Sequence, residues 1–189
     1  MEKSLEIHTI SKVDVCKGQS SINLDGLADL ILGLENDRLD NDEWSTHYED
    51  SKAPDSPIID AIVDEMITAF HAATGLQLRL NDKWAHIHQK NMSTNIHNHY
   101  PVDISSVFYV SVPENAGALL LHPHHNKYHL ATVPFKPQEG MFIIFPGALE
   151  HSVTRNHSDK PRISLAFNFN LPFTRFFRCF LPNSQFKKK

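Results

Sequence analysis

From Leu76 to Leu171 the apolar residues fall into short runs that alternate with polar ones, and this period constrains the fold more than any other feature of the chain. Side chains on a strand point to opposite faces in turn, so a period of two marks strands with a covered face. The pattern predicts strands at Leu76–Leu80, Lys83–His88, His97–His99, Ile104–Val112, Ala118–His122, Leu130–Val133, Met141–Phe145, His151–Val153 and Ile163–Leu171. Turn-forming segments separate them, notably Pro113–Gly117, Pro137–Gly140 and Asn156–Pro161. Many short strands of this kind imply an antiparallel sandwich or jelly roll. Upstream the period changes. Leu24, Leu27, Leu30, Ile31 and Leu34 have helical spacing across Ile22–Leu34, and so do Ile58, Ile62, Met66, Ile67 and Phe70. For the second helix Ser56 can cap the start, Pro57 fits the first turn and Gly75 fits the position past the end. Leu5–Ile10 reads as a strand, and Asn36–Ser56 as a polar loop containing Trp44.

The expected organisation is one domain over residues 1–189: a supporting part at 1–75, a β core at 76–171 and a tail at 172–189. Apolar residues make up 41% of the chain, enough for a packed core rather than a disordered segment. The net charge of −4 provides no basic stripe for nucleic acid, and the final Lys187–Lys189 is too short to supply one. No apolar run approaches the roughly 20 residues of a membrane span. Cys16 and Cys179 lie near opposite ends in no metal-binding spacing, and a reduced, cytoplasmic setting is expected. A homodimer is compatible with the sequence but nothing in it specifies one.

The residue in excess is histidine, at 13 copies. His97 and His99 sit two apart just before the apolar strand-like run Val107–Val112, and on a strand they share a face. His151, after the Met141–Pro146 run, can close a third side. Three imidazoles on one side of a metal leave adjacent positions free for a bidentate ligand and dioxygen. Arg162 opens a further strand and shares a face with Ser164. Its guanidinium matches a carboxylate, with the Ser164 hydroxyl and the Tyr109 phenol as further donors. A carboxylate anchor beside an open iron site is what a 2-oxo acid cosubstrate requires.

Taken in order, Trp84, His97-x-His99, Ser105–Tyr109, Gly117–Leu120, Pro137–Gly140, Ile144–Pro146, His151–Val153 and Arg162–Asn168 resemble the Fe(II)/2-oxoglutarate-dependent oxygenases. The similarity covers about residues 84–170. It is greatest to a family of marine phages and bacteria that is related to the prolyl hydroxylases. The resemblance implies a mainly β fold with flanking helices, the double-stranded β-helix or cupin-like jelly roll. It implies Fe(II) held by His97, the residue at position 99 and His151, and 2-oxoglutarate held by Arg162 with Ser164 and Tyr109. No catalytic side chain beyond the metal ligands is implied. The family pattern has Asp or Glu at position 99, whereas this chain has histidine. Asp103 is therefore the alternative third ligand, and a site with two histidines is another.

The implied reaction is hydroxylation of a prime substrate coupled to decarboxylation of 2-oxoglutarate to succinate. A prolyl or other peptide residue and a small metabolite are among the compatible substrates. Two competing functions fit the same residues: a cupin-like three-histidine dioxygenase that does not use 2-oxoglutarate, and a non-catalytic jelly-roll binding protein. His8, His47, His71 and His157 read as surface or structural residues, Trp44 and Trp84 as packing, and His86 and His88 as a half-exposed strand face, with lining of the pocket as the alternative. The His122–His125 cluster with His129 reads as a loop that rivals the first site for metal.

Overall fold

The computed structural model describes residues 13–33, 53–126 and 129–172. Among these residues two helices and nine strands follow in chain order: β1 (Cys16–Gln19), α1 (Leu27–Leu32), α2 (Pro57–Thr74), β2 (Arg79–His88), β3 (Thr94–His97), β4 (Ile104–Ser111), β5 (Leu119–Asn126), β6 (His129–Phe135), β7 (Met141–Pro146), β8 (His151–Val153) and β9 (Arg162–Asn170). The strands form a five-stranded sheet in the order β1-β7-β4-β9-β2 and a four-stranded sheet in the order β3-β8-β5-β6, and every pairing is antiparallel. Sequence neighbours are separated throughout the five-stranded sheet, whereas in the four-stranded sheet β5 and β6 lie side by side.

β9 lies between β4 and β2 in the five-stranded sheet, and it is buried along nearly its whole length. Its odd residues, Ile163, Leu165, Phe167 and Phe169, join the fully buried Ile59, Ile62 and Met66 of α2 in the larger core. Each such side chain contributes roughly 1.5–3 kcal/mol of burial free energy, as an upper estimate. Its even residues, Arg162, Ser164, Ala166 and Asn168, line a cavity on the opposite side. A smaller core closes the space around that cavity, formed by Leu119, Leu121, Met141, Ile143, Phe145 and Leu149 with Tyr109.

The α2 boundaries match the capping signals. The Ser56 hydroxyl accepts from the Ile58 N–H at 3.3 Å, Pro57 occupies the first turn, and Gly75 stops the helix at φ 73° while donating to the His71 carbonyl at 2.8 Å. The first expected helix is much shorter than its apolar spacing suggested. Asp25 N–H is taken by the Asn23 side chain at 3.0 Å, and Gly26 adopts φ 76°, so the chain turns before α1 begins at Leu27. Ile22 and Leu24 still pack against the larger core, which explains why they are apolar without being helical. The expected strands at Leu76–Leu80 and Lys83–His88 are one element, β2, starting at Arg79 and carrying a bulge between Leu80 and Asp82.

The expected His122–His125 loop is also corrected. β5 runs through these residues to Asn126 and pairs with β6 as a hairpin. Pro123 lies where the register shifts between Leu121 and His124, a position where a strand tolerates a residue without an N–H. His122 is buried, with its ring nitrogens 3.2 Å from Thr132 Oγ1 and 2.9 Å from Ser152 Oγ. The expected strand at Leu5–Ile10, Trp44 with its loop, Cys179 and the tail from Phe173 lie outside the described residues.

Candidate metal and cosubstrate centre

The register orders the cavity in layers. Antiparallel partners share a face, so His88 stands beside Arg162, His86 and Tyr109 beside Ser164, Trp84 and Val107 beside Ala166, and Asp82 and Ser105 beside Asn168. The opposite wall carries His97 at the end of β3 and His151 at the start of β8, which are direct cross-strand partners. His99 lies beyond the end of β3 and reaches the same place from a loop. That loop is tied to the chain after β7: His99 N–H donates to the Gly147 carbonyl at 2.7 Å, and Gly147 N–H donates to the Asp103 carbonyl at 3.0 Å. A Cβ at Gly147 would lie 2.2 Å from the Val102 carbonyl oxygen, so this crossing needs glycine. We expect Gly147→Ala to lower stability by about 1–3 kcal/mol, measured by urea denaturation. It should also weaken Mn(II) binding by displacing His99.

His97, His99 and His151 each offer a ring nitrogen, and these atoms lie within 4.8 Å of one another. His97 Nδ1 is 2.9 Å from the Asn95 carbonyl and His151 Nδ1 is 2.9 Å from the Leu149 carbonyl. Both Nδ1 atoms therefore carry the proton, the tautomer in which Nε2 is the lone-pair nitrogen of the ring. His151 Nε2 faces His99 Nε2 at 3.2 Å, a separation that two lone pairs tolerate only with a proton or a cation between them. Burial lowers the His151 pKa to about 3, with further lowering from His97, His99 and His86 that outweighs the opposing Leu149 bond. A neutral imidazole is the form that ligates.

Asp103 is engaged elsewhere. Its carboxylate accepts from the Leu171 N–H at 2.9 Å, and among the described residues it is outside the three-histidine group.

Arg162 is 1% exposed. One guanidinium nitrogen, Nη1, donates to the Ala116 carbonyl, while the other, Nη2, is buried with no hydrogen-bond partner. Desolvation lowers its pKa to about 10, partly opposed by Tyr109, so it stays a cation. Tyr109 is 2% exposed and burial raises its pKa to about 12, so it stays a phenol able to donate. Ser164 is buried next to both in the ladder.

The expected half-exposed face of His86 and His88 is instead a cavity wall. Both residues line the cavity, and His88 is 2% exposed with Nε2 2.8 Å from Thr94 Oγ1. Burial, Arg162 and His86 together push the His88 pKa well below the usual imidazole range. Trp84 also lines the cavity. Its indole N–H donates to His86 Nε2 at 2.7 Å, and its ring lies 5.5 Å from that of His99. The signal was present in the sequence, because Trp84, His86 and His88 share the parity of a single inward face.

Residues 82–168 match the model of a family described as "Putative 2OG-Fe(II) oxygenase". This segment is thus similar to the 2OG-Fe(II) oxygenases. The fold is likewise that of solved 2OG-Fe(II) oxygenases. A prolyl hydroxylase from Trichoplax adhaerens, solved with a hypoxia inducible factor peptide, aligns with TM-score 0.57 at 13% identity, over 82% of this chain and 83% of that one. An oxidoreductase of the 2OG-Fe(II) oxygenase family from Burkholderia pseudomallei gives TM-score 0.52 at 16% identity, over 63% of this chain and 59% of that one. A non-heme monooxygenase, the ThoJ nickel complex, gives 0.52 at 16%, over 62% and 55%. The chain thus spans less than two thirds of the latter two proteins. No curated protein matches.

The family's metal and cosubstrate are Fe(II) and 2-oxoglutarate, and the residues present fit both. The three convergent imidazoles suit a first-row metal. The unpartnered Nη2 of a buried cation suits a carboxylate. Among the described residues no helix is long and apolar enough to cross a membrane.

Proposed function

We propose that this chain is an Fe(II)- and 2-oxoglutarate-dependent oxygenase that hydroxylates an organic substrate. The observation that carries the reading is the buried, unpaired half of the Arg162 guanidinium in the same cavity as three convergent imidazoles. A desolvated cation without an anion costs several kcal/mol, which a bound carboxylate would recover.

In this reading His97, His99 and His151 hold the iron. Arg162 takes the far carboxylate of 2-oxoglutarate through Nη2, and Ser164 and Tyr109 complete the carboxylate's donors. The bound iron supplies the activation of dioxygen. The rest is orientation and exclusion of water. The Nδ1–H bonds to Asn95 and Leu149 hold two imidazole rings in place. The Ala116 carbonyl fixes the guanidinium fork. The Phe145 ring, 4.8 Å from that of His151, shields the metal side. Residues 1–189 act as one domain, and a reducing cytoplasm keeps the metal ferrous.

The test is anaerobic addition of Fe(II) and 2-oxoglutarate, then air. A weak visible charge-transfer band should need both additives, and succinate should form on oxygenation. His97→Ala and His151→Ala should abolish the band. A three-histidine dioxygenase of another type would give no band with 2-oxoglutarate, and a binding protein would give no succinate. Either result would overturn the proposal.

A further inference from the structure

Among the described residues no carboxylate lines the cavity. Its ionisable lining among the described residues is His86, His88, His97, His99 and His151, together with the cation of Arg162 and the phenol of Tyr109. The Asp103 carboxylate, the nearest acid in sequence to His99, is spent on the Leu171 N–H. The Arg162 charge has no ion-pair partner among the described residues and is 1% exposed to water. A divalent metal on three neutral ligands would bring the local charge to plus three, with no carboxylate among the described lining residues to offset it. Charges in a desolvated cavity act on one another far more strongly than in water. The metal and Arg162 therefore oppose each other until an anion enters.

We propose that His99 and the uncompensated Arg162 together make the metal and a dianionic 2-oxo acid bind as a coupled pair, each strongly raising the affinity for the other. The inference rests on the proposed function and deepens it. A carboxylate at position 99 would neutralise part of the metal's charge and let metal bind alone. Here that role passes to the cosubstrate. Its two carboxylates bring the total from plus three to plus one, one facing the metal and one facing Nη2. Because binding free energies are linked, the enhancement is reciprocal. The metal-free cavity is also a receptor for the dianion, since Arg162 is already in place and already cationic.

The test uses the full chain stripped of metal and titrated with Mn(II), with binding followed by electron paramagnetic resonance with and without 2-oxoglutarate. Mn(II) affinity should rise at least about tenfold with saturating 2-oxoglutarate, within the usual range for coupled sites. Calorimetry should show 2-oxoglutarate binding to the metal-free protein, and tighter binding by the same factor when Mn(II) is present. In His99→Asp, Mn(II) alone should bind more tightly and the enhancement should shrink toward unity. In Arg162→Gln, Mn(II) alone should bind no more weakly than in the parent, an outcome that a merely structural arginine would not give. Equal Mn(II) affinity with and without 2-oxoglutarate, while 2-oxoglutarate still binds the loaded protein, would overturn the coupling and leave the proposed function standing. No 2-oxoglutarate binding under any condition would overturn both.

Discussion

Replacing Arg162 with methionine should make the metal-free protein more stable while nearly abolishing its affinity for 2-oxoglutarate. The two effects have opposite signs because the same charge is a liability in the empty cavity and an anchor in the filled one. Methionine fills a similar volume and removes a cation whose desolvation already lowers its pKa to about 10. The change leaves the Ala116 carbonyl without its donor, at a cost of about 1–3 kcal/mol. It also relieves the larger cost of a buried charge with an unpartnered nitrogen. The net gain expected in urea denaturation is about 1–2 kcal/mol. Cosubstrate binding should weaken by about 2–5 kcal/mol, the range for truncating one member of a buried charge pair. Lysine should fall between parent and methionine, since an ammonium keeps the charge but not the fork. A destabilised methionine variant with parental 2-oxoglutarate affinity would show that Arg162 serves the fold alone.

Sequence periodicity revealed the fold to the extent that covering is one-sided or complete. α2 was readable to the residue because its caps are chemical: a hydroxyl at Ser56, a fixed φ at Pro57 and a positive φ at Gly75. β9 was readable because both faces are covered, one by α2 and one by the cavity, so its alternation divides apolar from functional residues. The elements that differed are those where a local bond overrides the pattern. Asn23 and Gly26 cut the first helix short, and the hairpin of β5 and β6 recruits histidines whose polarity suggests a loop.

Among the candidate site residues, His97, His99, His151, Arg162, Ser164 and Tyr109 all line one cavity. The reason first given for pairing His97 with His99, a common strand face, holds only in part. β3 ends at His97, and His99 is brought back by the Gly147 crossing, a tertiary contact that spacing does not encode. The inward face of His86 and His88 depends on the pairing of β2 with β9, and register becomes visible only when the strands are assembled.

Lowering the pH should destabilise the metal-free protein well before any carboxylate is titrated. The unfolded chain carries ordinary histidines with pKa near 6.5. In the folded chain burial holds His151 at about 3, with the neighbouring His97, His99 and His86 acting in the same direction. Below pH 6.5 the unfolded state therefore takes up a proton that the folded state refuses, and stability falls continuously as pH approaches the folded value. For His151 alone the loss between neutral pH and pH 5 is about 2 kcal/mol. His88, also lowered by burial and by Arg162, adds to it with the same sign. Urea denaturation in the presence of a chelator should show the fall, and His151→Gln should remove the share due to that residue. Saturating Mn(II) should steepen the dependence, because protons then compete with the metal for the same Nε2 atoms. A flat stability profile between pH 7.5 and pH 5 would mean that water reaches the histidine cluster freely, contradicting the desolvated centre on which the electrostatic coupling of metal and cosubstrate depends.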